Sequence, residues 1–254
     1  MSTRLTSVVI EAMDVSRLGR FWAEALNWQF TVGRAVGGRC DDAQAEVPRV
    51  AVGQAAVVRP DRPDGVRLLF VPTDRPKANK NRLHLDLAGG PDHAGEVRRL
   101  LGLGASLADI GQGEVPWQVL ADPEGNELCV LPLPDADPGD LAAICLDAAD
   151  PGVQGGFWSA ATGWPIVDRG AWGVRLCSPA GCGPALVMGP PAAPKSAPNR
   201  LQPALGAGPG GDLADSVAGL LAAGAVRADA GTPGLWAEPL ADPEHNEFLV
   251  WDQD

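Results

Sequence analysis

Tyrosine is absent from this 254-residue sequence and histidine nearly so, with three copies. Chemistry that needs a phenol hydroxyl is excluded, and few side chains are left that titrate near neutral pH. Basic charge is short as well: 20 Lys and Arg face 32 Asp and Glu, a formal net charge of −12. Such a balance repels phosphate backbones and anionic lipid, so neither nucleic acid nor membrane is an expected partner. No stretch of about 18 residues is apolar and regular enough to span a bilayer. The chain begins Met1 to Asp14 with only the short apolar run Val8-Val9-Ile10, and the cytoplasm is the expected location. Five Cys, at 40, 129, 145, 177 and 182, include no C-x-x-C pair, which argues against a disulfide framework or a zinc ribbon. The serine-nucleophile pattern G-x-S-x-G and the phosphate loop G-x-x-x-x-G-K are missing too.

What the chain does have is an internal repeat. Phe21-Trp22-Ala23-Glu24-Ala25-Leu26-Asn27-Trp28 returns as Phe157-Trp158-Ser159-Ala160-Ala161-Thr162-Gly163-Trp164. Pro76-Lys77 with Asn81-Arg82-Leu83-His84 returns as Pro194-Lys195 with Asn199-Arg200-Leu201-Gln202. Leu120-Ala121-Asp122-Pro123-Glu124-Gly125-Asn126-Glu127 returns as Leu240-Ala241-Asp242-Pro243-Glu244-His245-Asn246-Glu247. Three matches in the same order, far apart in the chain, imply a duplicated domain and not a short-period solenoid. The expected division is residues 1–132, a Pro- and acid-rich linker at 133–140, and residues 141–254.

Each half divides again into two units of strand, helix and further strands. Alternation from Thr6 to Glu11 reads as a strand, and Asp14 is the N-cap of a helix carrying Val15, Leu18, Phe21, Trp22, Ala25 and Leu26 at helical spacing. β-like runs follow at Trp28 to Val32, Val50 to Val58 and Val66 to Val71. The second unit opens with a strand from Arg82 to Leu87, continues in a helix capped near Asp92, and closes in a hairpin, Trp117 to Leu120 and Glu127 to Leu131. Asp122-Pro123-Glu124-Gly125 supplies its type I turn. In the second half Asp150-Pro151 and Asp212 start the helices.

The pieces FWAEALNW, NRLHLDL and LADPEGNELCVL resemble the vicinal oxygen chelate superfamily, the glyoxalase, bleomycin-resistance and extradiol-dioxygenase group, in particular its actinobacterial glyoxalase-like branch. The resemblance spans nearly the whole chain. It implies an α+β fold of two tandem domains, each of paired βαβββ modules forming a curled sheet cup with helices outside. The modules fall at about 5–75, 81–132, 141–190 and 199–252. The second half is less typical, because Pro203 stands where a strand uses a hydrogen-bond donor.

Metal-using members of that superfamily take His, Gln or Glu ligands from the first strand of each module and the last strand of a domain. Those positions are Ser7, His84 and Cys129 in the first half and Ala143, Gln202 and Leu249 in the second. Neither half supplies the family set, so no metal cofactor is expected. If a divalent metal does bind, period-2 geometry makes His84, Glu127 and Glu11 the set to consider. His84 and Glu127 are accordingly the candidate catalytic pair. Ser7, Glu11, His84, Asp86, Trp117 and Cys129 are the candidate ligand-binding residues, with Asp86 on the same strand face as His84.

Blander roles stand beside these. Glu127 lies in a turn segment that recurs in the copy without His. Trp22 and Trp158 sit on apolar helix stripes and belong to the core, while His93 near a helix start and His245 in a turn have structural places. Cys129 suits a buried apolar site, Trp117 and Trp236 fit core or pocket equally, and Cys177 with Cys182 is a redox pair or two loop thiols. The functional expectation is a metal-independent protein that binds or sequesters an apolar or aromatic metabolite or antibiotic. The alternative is a metal-dependent lyase, isomerase or dioxygenase using His84 and nearby carboxylates. The partner is a small molecule, and the chain is a monomer with an internal pseudo-dimer, or a homodimer.

Overall fold

The computed structural model describes residues 3–36, 39–40, 52–61, 65–181, 183–208, 211–228, 235 and 237–252. Four modules follow one another. The first holds β1 (Thr3–Ala12), α1 (Val15–Leu26), β2 (Gln29–Val36), β3 (Arg39–Cys40), β4 (Val52–Arg59) and β5 (Arg67–Pro72). The second holds β6 (Leu83–Ala88), α2 (His93–Leu103), β7 (Ser106–Leu107), β8 (Gln118–Ala121) and β9 (Glu127–Leu131). β10 (Leu141–Asp147), α3 (Pro151–Thr162), β11 (Ile166–Gly170), β12 (Gly173–Leu176) and β13 (Ala185–Gly189) make the third. The fourth is β14 (Leu201–Ala207), α4 (Leu213–Ala222), β15 (Val226–Arg227), β16 (Glu238–Ala241) and β17 (Glu247–Trp251). No described helix is long and apolar enough to cross a membrane.

Local chemistry explains the helix starts. The side chains of Asp14, Asp92, Asp150 and Asp212 each accept a backbone N–H from the first turn of their helix, and Pro151 fills a first-turn position where an N–H has no intrahelical acceptor. The hairpin turns also behave as their residues dictate. Asp122 Oδ1 accepts the N–H groups of Glu124 and Asn126, both at 2.9 Å, and Asp242 does the same for Glu244 and Asn246.

The two sheets are built across the halves of the chain. One has nine strands in the order β15-β16-β17-β14-β1-β5-β4-β2-β3, joining the fourth module to the first; the other has eight, β11-β12-β13-β10-β6-β9-β8-β7, joining the third to the second. Both joints are antiparallel pairs of opening strands, β1 with β14 and β6 with β10. Pro203 is accommodated within β14 because the ladder to β17 begins only at Ala204.

A continuous apolar core unites the helices with one face of each sheet, through Trp22, Phe70, Leu85, Ile144, Trp158 and Phe248 among others. Trp22 and Trp158 are buried, and each indole N–H is satisfied by an aspartate of the hairpin turn in its own half, Asp122 at 3.1 Å and Asp242 at 3.3 Å. The opposite faces carry separate clusters. That of the nine-stranded sheet is apolar, with Val9, Leu69, Ala204, Leu249 and Trp251. That of the eight-stranded sheet is smaller and contains Ala143, Cys145 and Ala185, with Cys177 and Val187 at its margin.

Candidate functional site

β6 lies in the middle of the eight-stranded sheet, between β10 and β9, and presents His84 and Asp86 on the face away from the helices. Leu83, Leu85 and Leu87 point the other way, into the core. Register then fixes the neighbours: His84 stands opposite Cys145 of β10, and Asp86 stands between Ala143 of β10 and Cys129 of β9. His84 Nε2 lies 3.4 Å from Asp86 Oδ1, and the Cys145 thiol donates to Asp86 Oδ2 at 3.1 Å. His84 Nδ1 and Asp86 Oδ1 are buried without a hydrogen-bond partner. Atoms of that kind are costly to leave alone in a folded interior.

Electrostatics follow from burial. Desolvation raises the Asp86 carboxyl above the usual range, opposed by His84, the thiols of Cys145 and Cys129, and Arg175. Burial, then the charge of Asp86, pushes both Cys145 and Cys129 well up. The group is thus a largely buried polar cluster of one imidazole, one carboxyl and two thiols. Lys80 pairs with Asp147 at 2.5 Å on the adjoining end of β10.

The other sequence candidates lie elsewhere. Ser7 is on the nine-stranded sheet, fully buried, and accepts a hydrogen bond from Arg67 Nε at 3.1 Å. Glu11, on the same strand, pairs with Arg75 at 2.7 Å. His84 and Glu11 therefore cannot form one centre, because the first module's sheet partner is the fourth module and not the second. Glu127 is bound by Lys77 Nζ at 2.7 Å and by the N–H of Asn81 at 3.2 Å. Glu247 repeats this with Lys195 and Asn199 at 2.7 and 3.1 Å, so the arrangement belongs to the hairpin framework of both halves. Trp117 is half-buried just before β8 and donates to Gln112 at 3.0 Å. His93 Nε2 contacts the Val130 carbonyl at 2.9 Å, and His245 occupies a left-handed turn position with φ of 63°. Trp236 and Cys182 lie outside the described residues, as does the start of the strand expected from Val50.

Cys145 is the participant that sequence reasoning missed. The period-2 step that led from Cys129 to Glu127 leads equally from Ala143 to Cys145, but only knowledge that β10 pairs with β6 gives that step meaning.

Comparison with known proteins settles the ancestry. The model of the Glyoxalase-like domain matches residues 7–131 and again 143–251. The chain belongs to the glyoxalase-like family. Its fold is similar to that of glyoxalase I from Zea mays, with a TM-score of 0.63 at 15% identity over 99% of this chain and 92% of that one. A putative dioxygenase from Bacillus subtilis subsp. subtilis str. 168 is also similar, with a TM-score of 0.63 at 13% identity over 99% of this chain and 85% of that one. No curated protein matches the sequence. At such identities the likeness establishes the fold, and the activity of this glyoxalase-like protein has to be argued from its own residues.

Those residues do not fit the metal set that the family implies. Ser7 belongs to a different sheet from His84, while Ala143 and Leu249 carry no ligand atom on their side chains. Gln202 is buried on the nine-stranded sheet, where it donates to the Asn199 carbonyl at 3.0 Å.

Proposed function

We propose that this glyoxalase-like protein binds a small, largely apolar or aromatic molecule on the cup face of the eight-stranded sheet, with His84 and Asp86 as its polar anchors. The observation that carries the reading is a pair of buried polar atoms that make no hydrogen bond, His84 Nδ1 and Asp86 Oδ1, beside a wall of Ala143, Cys145, Ala185 and Val187. Sites for small molecules combine an apolar lining with a few convergent polar groups of this kind. On the nine-stranded sheet the matching polar groups are engaged within the chain, Ser7 by Arg67 and Glu11 by Arg75. Because each sheet joins modules from both halves, one chain assembles both cups, which favours a monomer with internal pseudo-symmetry.

A lyase, isomerase or dioxygenase role built on His84 with Glu127 or Glu11 has less support, since both carboxylates are held in ion pairs by Lys77 and Arg75. Native mass spectrometry of protein isolated from its producing cells tests the reading. A retained organic molecule, lost in His84→Gln, is the expected result; an organic molecule unaffected by His84→Gln and displaced by Ser7→Trp would place the site in the other cup.

A further inference from the structure

The floor of the eight-stranded cup combines two features. The first is donor type and spacing: one atom each from His84, Asp86 and Cys145 lie within 4.8 Å of one another, the one such trio of metal-ligating side chains among the described residues. The second is hydrogen bonding, because His84 Nδ1 is buried with no partner and Asp86 Oδ1 makes no hydrogen bond, with only His84 Nε2 facing it at 3.4 Å. A purely structural polar cluster would close its own bonds.

From these we infer that His84, Asp86 and Cys145 form a site for a thiophilic divalent ion of the zinc class, a donor set that shares only His84 with the family's strand positions. The inference rests on the eight-stranded cup being the ligand site. Central strands hold the trio: register sets Cys145 opposite His84, and Asp86 follows His84 by two residues on the same face. Zinc bonds of about 2.0–2.3 Å to nitrogen, oxygen and sulfur put neighbouring ligand atoms roughly 3.5 Å apart, so the trio needs only side-chain adjustment to close on an ion. Thiolate with imidazole and carboxylate selects zinc over magnesium, calcium or manganese, which prefer all-oxygen surroundings. Three protein ligands leave a coordination position for water or for a donor atom of the bound molecule. Binding converts the Cys145 thiol to a thiolate, and its proton, now shared with Asp86, leaves to solvent.

The test is a titration of the metal-free full chain with Co²⁺, followed by absorption spectroscopy. One Co²⁺ per chain should bind, with a thiolate-to-cobalt charge-transfer band in the near ultraviolet, visible bands of four-coordinate cobalt, and displacement of both by Zn²⁺. Cys145→Ser should abolish the charge-transfer band, and Asp86→Asn and His84→Gln should weaken binding by about ten-fold or more. Cys177→Ser, at the margin of the same face, should change nothing. Circular dichroism of each variant separates loss of the site from loss of fold, and Asp86→Asn decides the matter if Cys145→Ser does not fold. Absence of the band in wild type, or its survival in folded Cys145→Ser, overturns the inference. Calorimetry of the metal-free protein with aromatic compounds keeps the two proposals apart. Aromatic binding with no cobalt band sinks the metal site and leaves the small-molecule reading standing, and a cobalt band without aromatic binding does the reverse.

Discussion

Arg200 donates to the Glu124 carboxylate at 2.8 Å, joining the opening of the fourth module to the hairpin turn of the second. The same glutamate accepts the backbone N–H groups of Met13 and Asp14 at 3.0 and 2.8 Å, where α1 begins. A mirror arrangement ties Arg82 to Glu244 at 3.0 Å, with the N–H groups of Ala149 and Asp150 at 2.9 and 2.7 Å. Each glutamate thereby links a turn, a helix start and the other half of the chain. The side chains of Arg200 and Glu124 are 6% and 10% exposed, so removing one partner strands the other away from water. Arg200→Met should lower stability by about 3 kcal/mol, with part of that recovered in Arg200→Met with Glu124→Gln. Urea unfolding of the single and double variants checks it; no loss in the single variant would mean that solvent reaches the pair.

Much of this architecture is legible in the amino-acid sequence, because it is written in local chemistry. Asp14, Asp92, Asp150 and Asp212 announce their helices, and Asp-Pro-Glu announces both hairpins. The pairing of modules is not local. β1 and β6 are both apolar opening strands, and nothing in either one specifies that β1 joins β14 while β6 joins β10. That choice separates Ser7 and Glu11 from His84 and brings Cys145 to it, so the candidate site was only half readable. The framework roles of Lys77 and Arg200 were hidden for the same reason, although both stand in repeated segments.

His84 and Gln202 occupy matching positions in the two sheets, yet their surroundings differ. Gln202 spends its amide on the Asn199 carbonyl, whereas His84 keeps Nδ1 unpaired. His84→Gln should weaken binding of an aromatic ligand by about 1–3 kcal/mol, the worth of a buried polar contact. Gln202→Ala should leave that affinity within about 0.5 kcal/mol. Calorimetry on both variants is decisive, and a loss from Gln202→Ala as large as or larger than that from His84→Gln would overturn the choice of the eight-stranded cup.

Thiol reactivity should follow burial and charge. Cys145 and Cys129 are buried beside Asp86, and both effects hold their thiols protonated at neutral pH, while Cys177 is half-buried. The thiolate is the nucleophile, so iodoacetamide at about pH 7.5 should modify Cys177 well before the other two. Peptide mapping of these three positions over time checks the order. As pH rises, alkylation of Cys129 and Cys145 should lag until the fold opens, because burial and Asp86 hold their thiols protonated. Prompt native-state labelling of Cys145 would contradict its burial.

Gly155 and Gly156 are neighbours in α3 with opposite surroundings, and they offer the sharpest test of the packing. A Cβ on Gly155 would come within 2.6 Å of Val174 Cγ1 on β12, while one on Gly156 meets nothing within 4 Å. Gly19 of α1 stands at the position matching Gly155, where a Cβ would lie 2.6 Å from Phe30 Cε2 on β2, so the repeat preserves a close approach of helix to sheet. Alanine favours a helix interior over glycine by about 1 kcal/mol, through the smaller backbone entropy lost on folding. At Gly156 that gain is unopposed, and Gly156→Ala should raise stability by about 0.5–1 kcal/mol. At Gly155 the same gain meets an overpacking cost of roughly 1–3 kcal/mol, because Val174 is buried and its branched side chain has little freedom to turn away. Gly155→Ala should therefore destabilise on balance. Thermal and urea unfolding of the two variants would show shifts of opposite sign. A stabilising Gly155→Ala would mean that α3 can lift from β12, and that the helix layer over the eight-stranded sheet is looser than this packing implies.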